Sequence, residues 1–182
     1  MAFHKMSMSS TIIVLVMFLL NHQPSTFVRA DDELIRQVCH NSEAPTTCNQ
    51  CVKADNRSDK ANTVGIATIV VDCIKIQANN LQTNISTLGS IYKDDFAANR
   101  TITKCGELFS HAKSDLNAVS QDLKNGDYDA SDRSIFNALL YQNSCKNQCK
   151  NNPKIIITSH IFYGFKMYEE LSQIALSILN RL

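Results

Sequence analysis

Residues 58–88 read SDKANTVGIATIVVDCIKIQANNLQTNISTL. Within this stretch Val64, Ala67, Val71, Ile74, Ala78, Leu81, Ile85 and Leu88 recur at steps of 3, 4, 3, 4, 3, 4 and 3, and Gly89 follows. Steps of three and four keep side chains on one stripe of an α-helix, so the spacing predicts a helix from Ser58 to Leu88, ended by Gly89. At about 1.5 Å per residue that helix is roughly 46 Å long. A second seam follows through Ile102, Cys105, Phe109, Ala112, Leu116, Val119 and Leu123, and Gly126 stops it. A third helix is expected from about Ala130 through Ile135, Ala138, Leu139 and Cys145 to Cys149. Asn151-Asn152-Pro153 ends it, because the residue before proline avoids the α region. A fourth starts near Thr158 or Ser159 and uses Phe165, Tyr168, Leu171, Ala175, Ile178 and Leu182. Four such helices on short connections bury their seams by packing antiparallel, so the expected fold class is all-α, an antiparallel four-helix bundle. Ahead of it, Asp32–Cys51 holds a short helical piece and a turn at Ala44-Pro45. That segment is too short for a core of its own and must be stapled or docked.

Composition agrees with one domain of this kind. The chain has 182 residues, 44% apolar and 19% charged, which is neither disordered nor strongly charged. Five glycines and three prolines are too few for the tight turns of a sandwich or barrel. A formal net charge of +1 lacks the basic footprint of a nucleic-acid binder, so no nucleic-acid partner is expected.

The first thirty residues read as an address. Lys5 precedes Thr11–Leu20, TIIVLVMFLL, an apolar run of signal-peptide length and about half of what a membrane span requires. Val28 and Ala30 place a cleavage point after Ala30, giving a signal peptide over 1–30 and a mature domain over 31–182. Without residues 1–30 the chain keeps 16 basic and 17 acidic side chains, a net charge of −1. The protein is therefore expected to be secreted, with no membrane partner once the signal is removed.

A secretory route makes the seven cysteines (Cys39, Cys48, Cys51, Cys73, Cys105, Cys145 and Cys149) disulfide candidates first. Seven is odd, so at least one thiol is left over or pairs between chains. Three sequons begin at Asn56, Asn84 and Asn99, with Asn56 and Asn99 nearer expected turns. Cys48-Asn49-Gln50-Cys51 has redox or zinc spacing, and Cys145 and Cys149 could complete a zinc set. The absence of a βαβ pattern and the secretory context both argue against those uses. His40, His111 and His160 are far apart in sequence, with no carboxylate or cysteine at helical spacing, and read as surface or seam-edge residues. Asp127, Asp129 and Asp132 cluster at a helix start, where the positive end of the dipole accounts for them. No G-x-S-x-G, phosphate loop or H-E-x-x-H occurs, so neither enzyme chemistry nor a cofactor or metal is expected.

The order of these features resembles a known family. Ile35-Arg36-Gln37-Val38-Cys39 is followed eight residues later by Cys48-Asn49-Gln50-Cys51-Val52-Lys53. Then come Arg57-Ser58 with Ala61, the helix Val64–Asp72, Cys105 and Cys145 on successive helices, and Glu170-Leu171-Ser172 in the last. From about Leu34 to Leu182 the chain is similar to the plant inhibitors of pectin methylesterase and of acid invertase.

The resemblance implies a four-helix bundle with a disulfide-stapled N-terminal helical hairpin and, by position, the pairs Cys39–Cys48 and Cys105–Cys145. In the chain-entropy model the first closes about ten residues for roughly 2.7 kcal/mol and the second about forty for roughly 4 kcal/mol. Cys51, Cys73 and Cys149 lie outside that four-cysteine pattern. Cys73, one residue off the Val71–Ile74 seam, reads as an ordinary small buried residue, and a third bridge from Cys51 or Cys149 stays open. The implied function is a secreted inhibitor that blocks a target enzyme in a 1:1 complex, acting in the cell wall or the vacuole. For pectin methylesterase the resemblance implies contacts from exposed positions on Ser58–Leu88, Ile102–Lys124 and Ala130–Cys149. For invertase it implies a Pro-Lys-Phe motif between the second and third bundle helices. Here that turn reads Asn125-Gly126-Asp127-Tyr128-Asp129-Ala130, which tilts the expected target to pectin methylesterase, with acid invertase (beta-fructofuranosidase) as the alternative. A non-inhibitory extracellular bundle and a metal- or redox-active protein using the surplus cysteines are the readings from other classes.

Overall fold

The computed structural model describes residues 30–182. The expected signal segment, apart from Ala30, lies outside the described residues. The described residues form six α-helices: α1 Ala30–His40, α2 Pro45–Lys53, α3 Thr63–Ile91, α4 Phe96–Asn125, α5 Tyr128–Asn151 and α6 Ser159–Leu179. A one-turn 3-10 segment, Ser58–Lys60, links α2 to α3. Each long helix packs on the next and α6 returns to α3, closing an antiparallel ring. None of the described helices is long and apolar enough to cross a membrane.

Each bundle helix begins at a side-chain cap. Asn62 and Asp127 accept from the backbone N–H groups of Gly65 and Ala130 at 2.9 Å. Asp95 accepts from Ala98 at 3.0 Å and Thr158 from Ile161 at 3.3 Å. These caps satisfy donors that the first helical turn leaves unpaired. They also set the boundaries, and here two expectations need correction. α3 starts at Thr63 rather than Ser58, because Asn62 is its cap and Ser58–Lys60 forms a separate turn. Gly89 does not end α3, which continues to Ile91, since a glycine stops a helix only when it takes the left-handed conformation and Gly126 alone does so among the described residues. Gly126 has φ 74°, and the chain behind it closes with Asp127 N–H donating to the Asp122 carbonyl at 2.9 Å. α4 begins six residues before Ile102. Its first turn exposes Phe96 and buries only Ala98, so it carries little apolar signal.

The core lies along the bundle axis. Phe109 of α4 meets Phe165 and Tyr168 of α6 with ring centroids 6.5 and 6.3 Å apart. The Tyr168 hydroxyl donates to the Ala138 carbonyl on α5 at 3.2 Å. Gly164 lets α6 approach α3 closely, because a Cβ there would stand 2.9 Å from Leu81 Cδ2.

Three disulfides bind this frame: Cys39–Cys48 across the α1–α2 hairpin, Cys51–Cys73 between α2 and α3, and Cys105–Cys145 between α4 and α5. Cys73 is therefore not an ordinary small buried residue: half-buried beside the α3 seam, it faces the docked hairpin and bonds to it. Cys149 remains a free, buried thiol.

Candidate functional site

The residues singled out by sequence fall into a clasp, a buried sulfur cluster and an exposed helical surface. The clasp holds the α1–α2 hairpin on the bundle. Thr47 of α2 donates to Glu170 of α6 at 2.6 Å, and Lys166 pairs with the same carboxylate at 3.3 Å. Arg57 forks between Asp55, at 2.9 Å from Nε, and Asp72 of α3, at 2.8 Å from Nη2. Hydrogen bonds from the Arg57 side chain and backbone hold the Asp55 carboxyl down at about 2. At the far end Arg181 donates to the Asn41 carbonyl at 2.7 Å. Arg57, Asp72 and Glu170 stand out in the sequence only through the resemblance. Their physical role is to fix a hairpin that has no core of its own.

The C-x-x-C spacing of Cys48 and Cys51 is divided between two bridges, with Cys48 bonded to Cys39 and Cys51 to Cys73. The sulfur atoms of Cys105, Cys145 and Cys149 all lie within 4.8 Å of one another, buried between α4 and α5. None of the three histidines belongs to this cluster. His40 and His160 are exposed, while His111 packs its ring against Tyr141 at 5.4 Å. Asp127 is the α5 cap and Asp129 stands in the first turn after it, a helix-end arrangement.

Among the sequons, Asn56 sits in an exposed turn. Asn84 is half-buried in the middle of α3. Asn99 is half-buried in the first turn of α4 rather than in a connection.

The surface carries features that periodicity did not reveal. Phe136 and Leu140, one turn apart on α5, are 50% and 49% exposed although both are large and apolar. A groove of about 710 Å³ runs beside the α4 N-terminus, bounded by Phe96, Arg100, Lys104, Glu107 and Gln148, with Phe96 82% exposed. A 3,4 seam marks inward positions, so outward apolar residues carry no periodic signal. Phe136, Leu140 and the groove beside Phe96 offer apolar area for docking, and the Cys105–Cys145 bridge ties together the two helices that carry them.

Comparison with known proteins places this geometry. The family model described as plant invertase/pectin methylesterase inhibitor matches residues 33–178. A pectinesterase inhibitor of Actinidia deliciosa is 27% identical over 178 residues, covering 97% of this chain and 94% of that protein. A cell wall / vacuolar inhibitor of fructosidase 2 of Arabidopsis thaliana is also 27% identical, over 77% of this chain and 79% of its own length. Among solved structures, a mutant form of a pectin methylesterase inhibitor from Arabidopsis superposes with a TM-score of 0.67 at 20% identity, covering 81% of this chain and 96% of that one. A second pectin methylesterase inhibitor structure, from Arabidopsis thaliana, gives 0.60 at 19% identity, covering 84% and 97%. These likenesses establish the fold as an all-helical bundle of that type.

Proposed function

Because the chain belongs to the plant invertase/pectin methylesterase inhibitor family, we propose that it is a secreted inhibitor that binds pectin methylesterase and blocks its cleft in a 1:1 complex. Its role is that of an inhibitor rather than an enzyme. One observation carries the choice of target: the turn from α4 to α5. It reads Asn125-Gly126-Asp127-Tyr128 and is consumed by a left-handed glycine and an aspartate cap, leaving no Pro-Lys-Phe motif. The reading assigns the contact surface to the outward faces of α3, α4 and α5, including Phe136 and Leu140. A preformed helical face loses little conformational entropy on docking. Secretion through residues 1–30, delivery to the cell wall and glycan addition at Asn56 belong to the same proposal.

The test is a parallel titration of oxidised mature protein (residues 31–182) against a plant pectin methylesterase and a plant acid invertase at mildly acidic pH. Loss of esterase activity near one equivalent is the expected result. Loss of invertase activity instead would transfer the function to that enzyme, and loss of neither would overturn the proposal.

A further inference from the structure

Cys145 and Cys149 are one turn apart on α5 and face the same residue of α4. Cys105 is bonded to Cys145, while the Cys149 sulfur lies 3.5 Å from the Cys105 sulfur, in van der Waals contact with the bond it could attack. We propose that Cys105, Cys145 and Cys149 form an internal thiol–disulfide exchange site, in which Cys105 bonds α4 to either of two successive turns of α5.

The step is redox-neutral. The Cys149 thiolate attacks Cys105 Sγ, the Cys105–Cys145 bond breaks, and Cys145 leaves as a thiolate that takes up the proton Cys149 gave away. No outside oxidant or reductant enters, and one thiol exists per chain before and after. Chain entropy does not choose between the bonds: Cys105 is 40 residues from Cys145 and 44 from Cys149, and closure cost changes only with the logarithm of that number. Local packing decides. The third sulfur is in contact, but all three sulfurs lie within 4.8 Å of one another, so they are bent rather than in line, and the Cys149 side chain must rotate about its Cα–Cβ bond before it attacks. Cys149 is only 2% exposed, so external thiols are kept away and the reaction stays within the chain. Burial pushes the Cys149 thiol up to about 11, so few molecules hold the nucleophile at neutral pH and exchange is expected to quicken as pH rises. Exchange moves the tether four residues, about 6 Å, toward the α5 C-terminus. There Asn152 donates to Thr101 at 3.4 Å, beside the groove lined by Phe96 and Arg100.

The experiment uses intact oxidised mature protein. A sample is held for hours at pH 9 without added thiol, then unfolded in acid, labelled with a maleimide and digested with trypsin. Cleavage after Lys146 puts Cys145 and Cys149 on different peptides. The expected result is label on both cysteines, summing to about one per chain, and no label on Cys145 in the Cys149→Ser variant. Label confined to one of the two cysteines after incubation overturns the proposal, as does equal labelling of Cys145 in Cys149→Ser. A second variant, Cys145→Ser, is expected to oxidise to a Cys105–Cys149 bond with no free thiol. Two free thiols in folded Cys145→Ser would also overturn it.

Discussion

Thr47 on α2 donates its hydroxyl to the Glu170 carboxylate on α6 at 2.6 Å, joining two positions 123 residues apart. The bond belongs to a clasp with the Arg57–Asp72 pair and the Cys51–Cys73 bridge, and its acceptor is charged and partly shielded. Thr47→Val keeps the shape and removes the donor, so a loss of about 1 kcal/mol is expected. For a domain of this size that lowers Tm by roughly 2–4 °C. Thermal unfolding followed by circular dichroism measures it, and an unchanged Tm would show that the bond adds nothing.

The bridge from Cys51 to Cys73 closes 22 residues, and the chain-entropy model assigns it about 3.4 kcal/mol. The double variant Cys51→Ser/Cys73→Ser is expected to open the hairpin before the bundle. Limited proteolysis should then cut within residues 30–60 while the four long helices stay protected. Simultaneous digestion of hairpin and bundle would refute this order.

The Asp55–Arg57 contact predicts a defined acid response. The folded carboxyl is held at about 2, below its ordinary 3.8, so its stabilising contribution is complete above about pH 4. It is lost as pH falls through about 2, and mildly acidic conditions leave it intact. Asp55→Asn should flatten the dependence of Tm on pH between about 2 and 4 and lower the plateau above it. Parallel curves for variant and parent across that range would contradict the assignment.

Gly164 tests the contact between α6 and α3. The Cβ of Gly164→Ala would meet Leu81 Cδ2 at 2.9 Å, and Leu81 is itself fully buried. Overpacking of this kind costs about 1–3 kcal/mol, even though alanine favours helix. Shortening the neighbour in Gly164→Ala/Leu81→Val should recover part of the loss. Denaturant midpoints of the two single variants and the double variant would show whether their effects couple, and simple additivity would argue against the contact.

The four bundle helices were legible because each carries a 3,4 seam that must be buried, and the structure buries it: Ile74, Ala78, Leu81 and Ile85 on α3 and Phe109, Ala112 and Leu116 on α4 are inside. Their ends were less legible. The first turn of α4 exposes Phe96 and buries only the small Ala98, and Gly89 looks like a stop yet keeps helical geometry. The resemblance left Cys51 and Cys73 outside its four-cysteine pattern, whereas the docked hairpin brings their Cα atoms to 6.3 Å. The resemblance drew attention to Glu170 and Asp72 but could not say what they hold.

The all-helical class, the number of long helices and the turn at Gly126 follow from the order of residues alone, because periodicity and glycine conformation act over a few residues. Three outcomes came instead from packing: which surplus cysteines meet, where the hairpin docks, and which apolar residues, Phe136 and Leu140 among them, remain on the outside. Those outcomes depend on contacts between distant segments, whose geometry exists only once the helices have packed.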